Sequence, residues 1–431
     1  MLKRLQLRRF AALVVVCAAV VATTAGVASS DANRTREPVR VVADGLSNPR
    51  HLAVNEAGRI YVAEAGSGGD VLVDVALGGD PGPTCIGDTG RISRLVGGRA
   101  IPVIDGLPSA AQAAGGSCTG PGSGFAATGP HGVDVSRQNV TYSIGLAGNP
   151  LDRDLLAAGL PAAAALGTVN SPVWRMPAMD VAGFEAMNDP DGLGVDSNPY
   201  GVMRDTWRST IAVDAGGNSL LEVHRTRPTR VIAVFGPRCV AWNLPFPNPI
   251  PDVANPCGGA ANFPADAVPT AVATAADGDY LVSMLGGFPF NVGESVIYKI
   301  DADHRGTAVC STEAFVPAAG CEVFAEGLTA LVDLEVAPDG KVYAVQFVDG
   351  GIAGINPEDP STLDGSVQIL HRRTGEVVGS IVGLSNPGGV AIDYRDVYIS
   401  NFSTAPGFGQ VVAAKTLCTA RFRAECLETR P

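Results

Sequence analysis

One phrase recurs six times along the chain, and that repetition limits the fold more than any other feature. It stands most clearly at Ser197 to Val223, where Ser-Asn-Pro leads into short β-prone runs separated by turn residues, the second ending in Asp214 and followed by Gly216-Gly217-Asn218. Proline fixes its own φ and biases its predecessor, so Ser-Asn-Pro marks a chain reversal before an extended segment. Ser-Asn-Pro returns at Ser47-Asn48-Pro49 and Ser385-Asn386-Pro387, with related phrases GPHGVDV at Gly129, VPTAVAT at Val268 and ALVDLEV at Ala330.

Aligned on Pro49, Pro130, Pro199, Pro269, Leu331 and Pro387, the anchors are 81, 69, 70, 62 and 56 residues apart. A β-run follows most anchors: IYVAE, TYSIG, IAVDA, YLVSM, VYAVQ and VYISN. A bare propeller blade needs roughly 40–50 residues, so each unit also carries insertions. The expected fold is all-β: a six-bladed β-propeller of four-stranded antiparallel blades.

The blades can be sketched along the chain. Blade one runs through His51–Val54, Ile60–Glu64, Arg91–Val96 and Ile101–Asp105, with a Gly/Asp/Pro-rich insertion at 66–90. Blade two runs from His131 to Met176–Val181, blade three from Tyr200 to Phe235, blade four from Thr270 to Phe324 and blade five from Val332 to Val382. Blade six shows only three strand candidates, Val390–Asp393, Val397–Asn401 and Gln410–Ala414. Its fourth is expected from Val39–Ala43, which would close the ring and remove an open sheet edge.

Residues 1–28 read as a signal segment: a basic head (Lys3, Arg4, Arg8, Arg9), an apolar stretch Phe10–Val21, and small residues at Gly26-Val27-Ala28. Residues 29–38 follow as a linker, 39–415 as the propeller and 416–431 as a tail. The expected location is extracytoplasmic, without a membrane attachment after cleavage. Removing the leader takes the net charge from −12 to −16, which argues against nucleic acid and anionic membrane as partners. A monomer is expected.

Eight cysteines remain after cleavage, an even number in an exported chain. They fall in neighbouring couples, so the expected disulfides are Cys85–Cys118, Cys239–Cys257, Cys310–Cys321 and Cys418–Cys426, the last pinning the tail. A metal site is the rival, but no CxxC pair exists and the five histidines are scattered.

No GxSxG, HExxH, P-loop or dinucleotide fingerprint is present, and a non-catalytic role is the first reading. The ends of the second strands give a ring of equivalent positions: Glu64, Gly145, Asp214, Met284, Gln346 and Asn401. Glu64, Asp214, Gln346 and Asn401 are candidates to converge on the channel mouth, with His51, His131 and Asp333 nearby. Oxygen ligands of this kind suit Ca²⁺, with Glu64 and Asp214 as its carboxylates. The competing reading makes these polar residues ordinary starts of solvated turns. The acidic segment from Asn188 through Asp196 resembles a calcium loop loosely and reads first as a solvated turn.

The phrases YVAEAGSGGD, NDPDGLGVDSNPYGV, VDAGGNSLLEV, GGFPFNVGESVIYKI and GLSNPGGVAI…VYISNFS together resemble the ScyD/ScyE family across nearly the whole mature chain. The resemblance implies an exported, NHL-like propeller, found in scytonemin pigment clusters and in actinobacterial exported proteins; it assigns no reaction. A wider resemblance is to gluconolactonase-like propellers, whose metal-binding asparagine would fall at Arg50, His131, Tyr200, Thr270, Val332 or Gly388. None of these is asparagine. Two main readings follow: a propeller that binds a small molecule or protein at its channel face, or a divalent-metal-dependent hydrolase or lactonase using Glu64 and Asp214. An auxiliary role in secondary metabolism rests on the family context alone.

Overall fold

The chain forms a six-bladed β-propeller in which every blade is four antiparallel strands stepping outward from a central axis. The computed structural model describes residues 39–415. Stretches 79–81, 138, 172–177, 207–208, 225, 245–246, 251–253, 314, 317, 357–358 and 394–395 lie outside the described residues. So do the signal segment, the linker up to residue 38, the Cys418–Cys426 couple and Met176.

The innermost strands are Pro49–Val54, Pro130–Ser136, Pro199–Arg204, Pro269–Thr274, Leu331–Val336 and Gly389–Ile392. Each packs on the next, and the last returns to the first. The second strands, such as Ile60–Glu64, Ser209–Asp214 and Val342–Gln346, are buried at every position. A blade covered on both faces by its neighbours has no solvated side, and its strands therefore read as continuous apolar runs. Six separate apolar clusters fill the six seams between blades. One joins Ile211, Leu220 and Phe235 of blade three to Val282, Val296 and Tyr298 of blade four.

Closure follows the expected route with a longer strand. Arg40–Leu46 pairs antiparallel with Gly409–Lys415, through Arg40↔Ala413, Val41↔Val412, Ala43↔Val411 and Leu46↔Gly409. At four of the six anchors the preceding residue makes the reversal: Asn48, Val268, Ala330 and Asn386 have φ of 50°, 53°, 47° and 43°. Asparagine tolerates this left-handed region, which is why Ser-Asn-Pro marks two of these turns.

Three features depart from the sequence reading. The 66–90 insertion is not all loop: Thr84–Gly90 extends the third strand of blade one into a long hairpin, Thr84–Val96 with Arg99–Gln112, and Val71–Val73 pairs onto it. The Pro/Asn-rich segment after blade three folds as a small hairpin, Arg238–Ala241 with Asn262–Ala265. The excursion inside blade four sends Ala308–Cys310 back to blade three, where it adds a fifth, parallel strand beside Arg230–Phe235. Cys85–Cys118, Cys239–Cys257 and Cys310–Cys321 are bonded as expected.

The closing strand gives an internal control. Leu46 is fully buried, whereas Val41 is 50% exposed. Leu46→Ala should cost about 2–5 kcal/mol of stability in urea denaturation, as deletions from packed cores do. Val41→Ala should cost under about 1 kcal/mol. Equal effects would mean that this strand does not seal the ring.

Candidate functional site

In an antiparallel blade, the second-to-third connection and the entry to the first strand emerge on the same face. Most of the extra length of this chain is in those connections, including 145–167, 285–294, 347–363, 113–129, 181–198 and 236–268; the excursion at 301–320 is on the other face. One face of the propeller is therefore built up with loops, and the ring of second-strand ends lies beneath them.

The four polar second-strand ends share a task. Glu64 Oε2 accepts the Ser47 N–H at 2.9 Å and its Oε1 accepts from Ser93 Oγ at 2.5 Å. Asn401 Oδ1 accepts the Ser385 N–H at 2.7 Å, and Gln346 Oε1 accepts the Thr329 N–H at 2.9 Å. Asp214 accepts from the Asn198 N–H at 2.6 Å, Ser197 Oγ at 2.7 Å and the Gly217 N–H at 3.2 Å. Each side chain thus holds the backbone that enters its own blade, satisfying donors that would otherwise be buried unpaired. Burial pushes the carboxyls of Glu64 and Asp214 up, while these hydrogen bonds pull them down. Arg91 and Asp105 are charges acting on Glu64. Glu64 and Asp214, expected as the carboxylates of one cation, each serve as a backbone clasp.

The axis is where side chains from different blades meet. Arg50 and His51 come from blade one, His131 from blade two, Tyr200 from blade three and Asp333 from blade five. The His131 and Tyr200 rings lie 4.4 Å apart, and His51 meets the edge of Tyr200 at 5.1 Å. Arg50 donates to the Ser403 carbonyl at 2.7 Å and to the Ala127 carbonyl at 2.8 Å. It tethers the mouth between blades six and two, and its Nε has no partner.

His51 Nε2 lies 3.0 Å from the Val332 carbonyl. A carbonyl only accepts, so Nε2 carries the hydrogen and Nδ1 presents a lone pair to Asp333 Oδ1 at 3.5 Å. Burial holds His51 down at about 4, with Arg50 adding to the effect, and holds the Asp333 carboxyl well above the usual range. The Leu334 N–H donates to Asp333 Oδ1 at 2.9 Å and the Val390 N–H to its Oδ2 at 2.8 Å, which pull that carboxyl the other way. His131 is also held neutral by burial, with Arg50 and His51 nearby. Its Nδ1 has no partner, nor does Asn198 Oδ1. Both border the place where a Cβ on Gly145 would stand, so blade two has glycine at its second-strand end because the imidazole takes that space.

The sequence named His51, His131 and Asp333 but passed over Arg50 and Tyr200 as binding residues. Deeper along the same channel, Glu335 is pushed up to about 8 by burial, Asp333 and Asp134.

No protein-family model and no curated protein matches the chain. Among solved structures, it is similar to virginiamycin B lyase from Staphylococcus aureus, at 10% identity and a TM-score of 0.37 over 88% of this chain and 99% of that one. It is also similar to the PQQ domain of pyranose dehydrogenase from Coprinopsis cinerea, at 11% identity and a TM-score of 0.41 over 89% and 98%. The WD40 propeller domain of Doa1 matches at 8% identity and a TM-score of 0.38 over 84% and 78%. These likenesses concern the fold, which a lyase, a dehydrogenase domain and a WD40 domain share.

Two predictions follow from this geometry. Asn401→Ala should leave the half-buried Ser385 N–H without its acceptor and lower stability by about 1 kcal/mol in urea denaturation; a neutral result would remove the clasp role. The pH profile of the melting temperature should fall on both sides. His51, at about 4 folded against 6.5 ordinarily, takes up its proton more readily when unfolded, so stability drops as pH falls from 6.5 towards 4. Glu335, at about 8 against 4.5, keeps its proton only when folded, so stability drops as pH rises from 4.5 towards 8. Glu335→Gln should raise the melting temperature at pH 8 more than at pH 5, and an equal shift would refute the assignment.

Proposed function

We propose that this chain is an exported binding propeller of the ScyD/ScyE kind, whose site is the axial cluster beneath the loop-bearing face. The observation that carries this reading is the convergence of Arg50, His51, His131, Tyr200 and Asp333 from four blades. Two buried donor or acceptor atoms there, Arg50 Nε and His131 Nδ1, have no protein partner. Buried polar atoms are ordinarily satisfied, and groups left over at a convergent site are the handles a ligand uses. Arg50 supplies a fixed positive charge, and the Tyr200 and His131 rings a flat wall. The fitting ligand is a small molecule with a carboxylate or similarly polarised oxygen beside a planar or apolar body.

A nucleophile beside a base is missing from the cluster, and Glu64 and Asp214 are occupied with backbone, so the hydrolase reading has no observation in its favour. The three bonded cysteine pairs fit an oxidising compartment. Among the described residues, no helix is long and apolar enough to cross a membrane.

The test uses benzoate, 4-hydroxybenzoate, acetate and glucono-δ-lactone as probes of the mature protein. The aromatic carboxylates should raise the melting temperature and perturb tyrosine absorption, and acetate should do so less. Tyr200→Phe should weaken the effect and Arg50→Met should abolish it, with both variants folded by circular dichroism. Binding that survives Arg50→Met would exclude the axial site, and steady hydrolysis of the lactone would overturn the non-catalytic reading.

A further inference from the structure

On the same face, the linker from blade two to blade three contains a helix, Val181–Asn188, that ends at Asp189 in the left-handed region, with φ of 41°. Glu185 in its last turn, Asp189 at its cap and Asp191 beyond it bring one carboxylate oxygen each within 4.8 Å of one another. Three acidic side chains thus gather at a helix C-terminus, the end whose dipole already disfavours negative charge. The charges acting on Glu185 are those of Asp214, Asp191 and Asp189, all negative.

A second observation is independent of that clustering. Glu185 is only 1% exposed, yet its Oε1 has no hydrogen-bond partner. A buried, unpaired carboxylate oxygen costs several kcal/mol unless something positive meets it. The surroundings are cut to admit this side chain: a Cβ on Gly217 would lie 2.6 Å from Glu185 Oε2. Neighbouring hydrogen bonds already fix the other two ligands. Asn218 Nδ2 donates to Asp191 Oδ2 at 2.8 Å, and the Gly194 N–H donates to Asp189 Oδ1 at 3.2 Å.

We infer that Glu185, Asp189 and Asp191 form a site for a hard divalent cation, Ca²⁺, that fastens the blade-two linker to the inner turn of blade three. An oxygen-only ligand set with three negative charges suits Ca²⁺, whose flexible shell of six to eight ligands lets water complete it. Mg²⁺ demands a stricter octahedron and gives up water reluctantly, so it should bind more weakly. Asp214 stays outside the shell as a backbone clasp, although its charge adds to the attraction. The segment that reads in sequence as a solvated turn becomes a binding loop because the helix delivers a last-turn carboxylate that the loop alone lacks.

The experiment uses the mature protein dialysed against EDTA and then against metal-free buffer at pH 8. Calorimetric titration with CaCl₂ should show one site per chain, and Ca²⁺ should raise the melting temperature by several degrees, more than equimolar Mg²⁺. Glu185→Gln keeps the shape, removes one of the crowded charges, and should weaken Ca²⁺ binding at least tenfold. Without metal that variant should melt at or above the wild type, and with Ca²⁺ below it. Such a crossing of the two orders is not expected of a merely structural glutamate. Asp191→Asn should weaken binding likewise, and Glu64→Gln should leave it unchanged. The assignment fails if the wild type gives neither heat nor a shift, or if Glu185→Gln responds to Ca²⁺ as the wild type does.

Discussion

The pairing of Arg40–Leu46 with Gly409–Lys415 is the interaction on which the rest of the molecule depends. A ring of blades exists only if its last seam is filled, and that seam joins segments from opposite ends of the described chain. Once it is filled, every blade has a neighbour on both faces and six apolar seams can form. Hydroxyls reinforce the ring from inside. Ser143 Oγ donates to the Tyr200 carbonyl, Thr270 Oγ1 to the Leu331 carbonyl at 3.1 Å, and Ser400 Oγ to the Arg50 carbonyl at 2.8 Å. Each ties one blade to the next, and the Ser400 contact crosses the closing seam beside the axial cluster. The rigidity that holds Arg50 in place and the closure of the ring are therefore one matter.

The loop-bearing face carries two different kinds of buried polarity. Second-strand acceptors such as Asn401 and Gln346 are satisfied within their own blades and hold the turns in shape. Arg50, His131 and Glu185 retain unpaired atoms. Unpaired atoms alone do not mark a site, since the turn residues Asn48 and Asn386 keep one each as well; the candidates differ in that theirs lie where side chains from several elements converge.

The repeats were legible because they rest on local chemistry: turn residues before Pro49, Pro199 and Pro387, continuous apolar second strands, and a blade visibly short of one strand. Local chemistry also paired the six cysteines among the described residues. Its reach ended where contacts became long-range. Glu64 at a strand end looks the same in sequence whether it serves a cation or the Ser47 N–H. Nothing local in Ala308–Cys310 tells of a partner in blade three. Arg50 and Tyr200 lie 150 positions apart, and only the ring geometry brings them to the axis. Glu185 was missed because its chemistry depends on a helix whose C-terminus delivers it to a loop beyond Asp189.

The parallel strand Ala308–Cys310 changes how the ring can come apart. It belongs to blade four by chain connectivity and to blade three by hydrogen bonding, so these two blades share a ladder as well as an apolar seam. An opening that parted them would have to unzip Ala308–Cys310 from Arg230–Phe235. Because Cys310 is bonded to Cys321, it would also pull on the outer strand of blade four, Cys321–Leu328. The same strand shields the outer edge of blade three, which would otherwise offer a row of unpaired backbone groups to another chain. The propeller therefore has an uneven circumference: one junction is lashed from outside, and a breathing motion has to find its gap elsewhere around the ring.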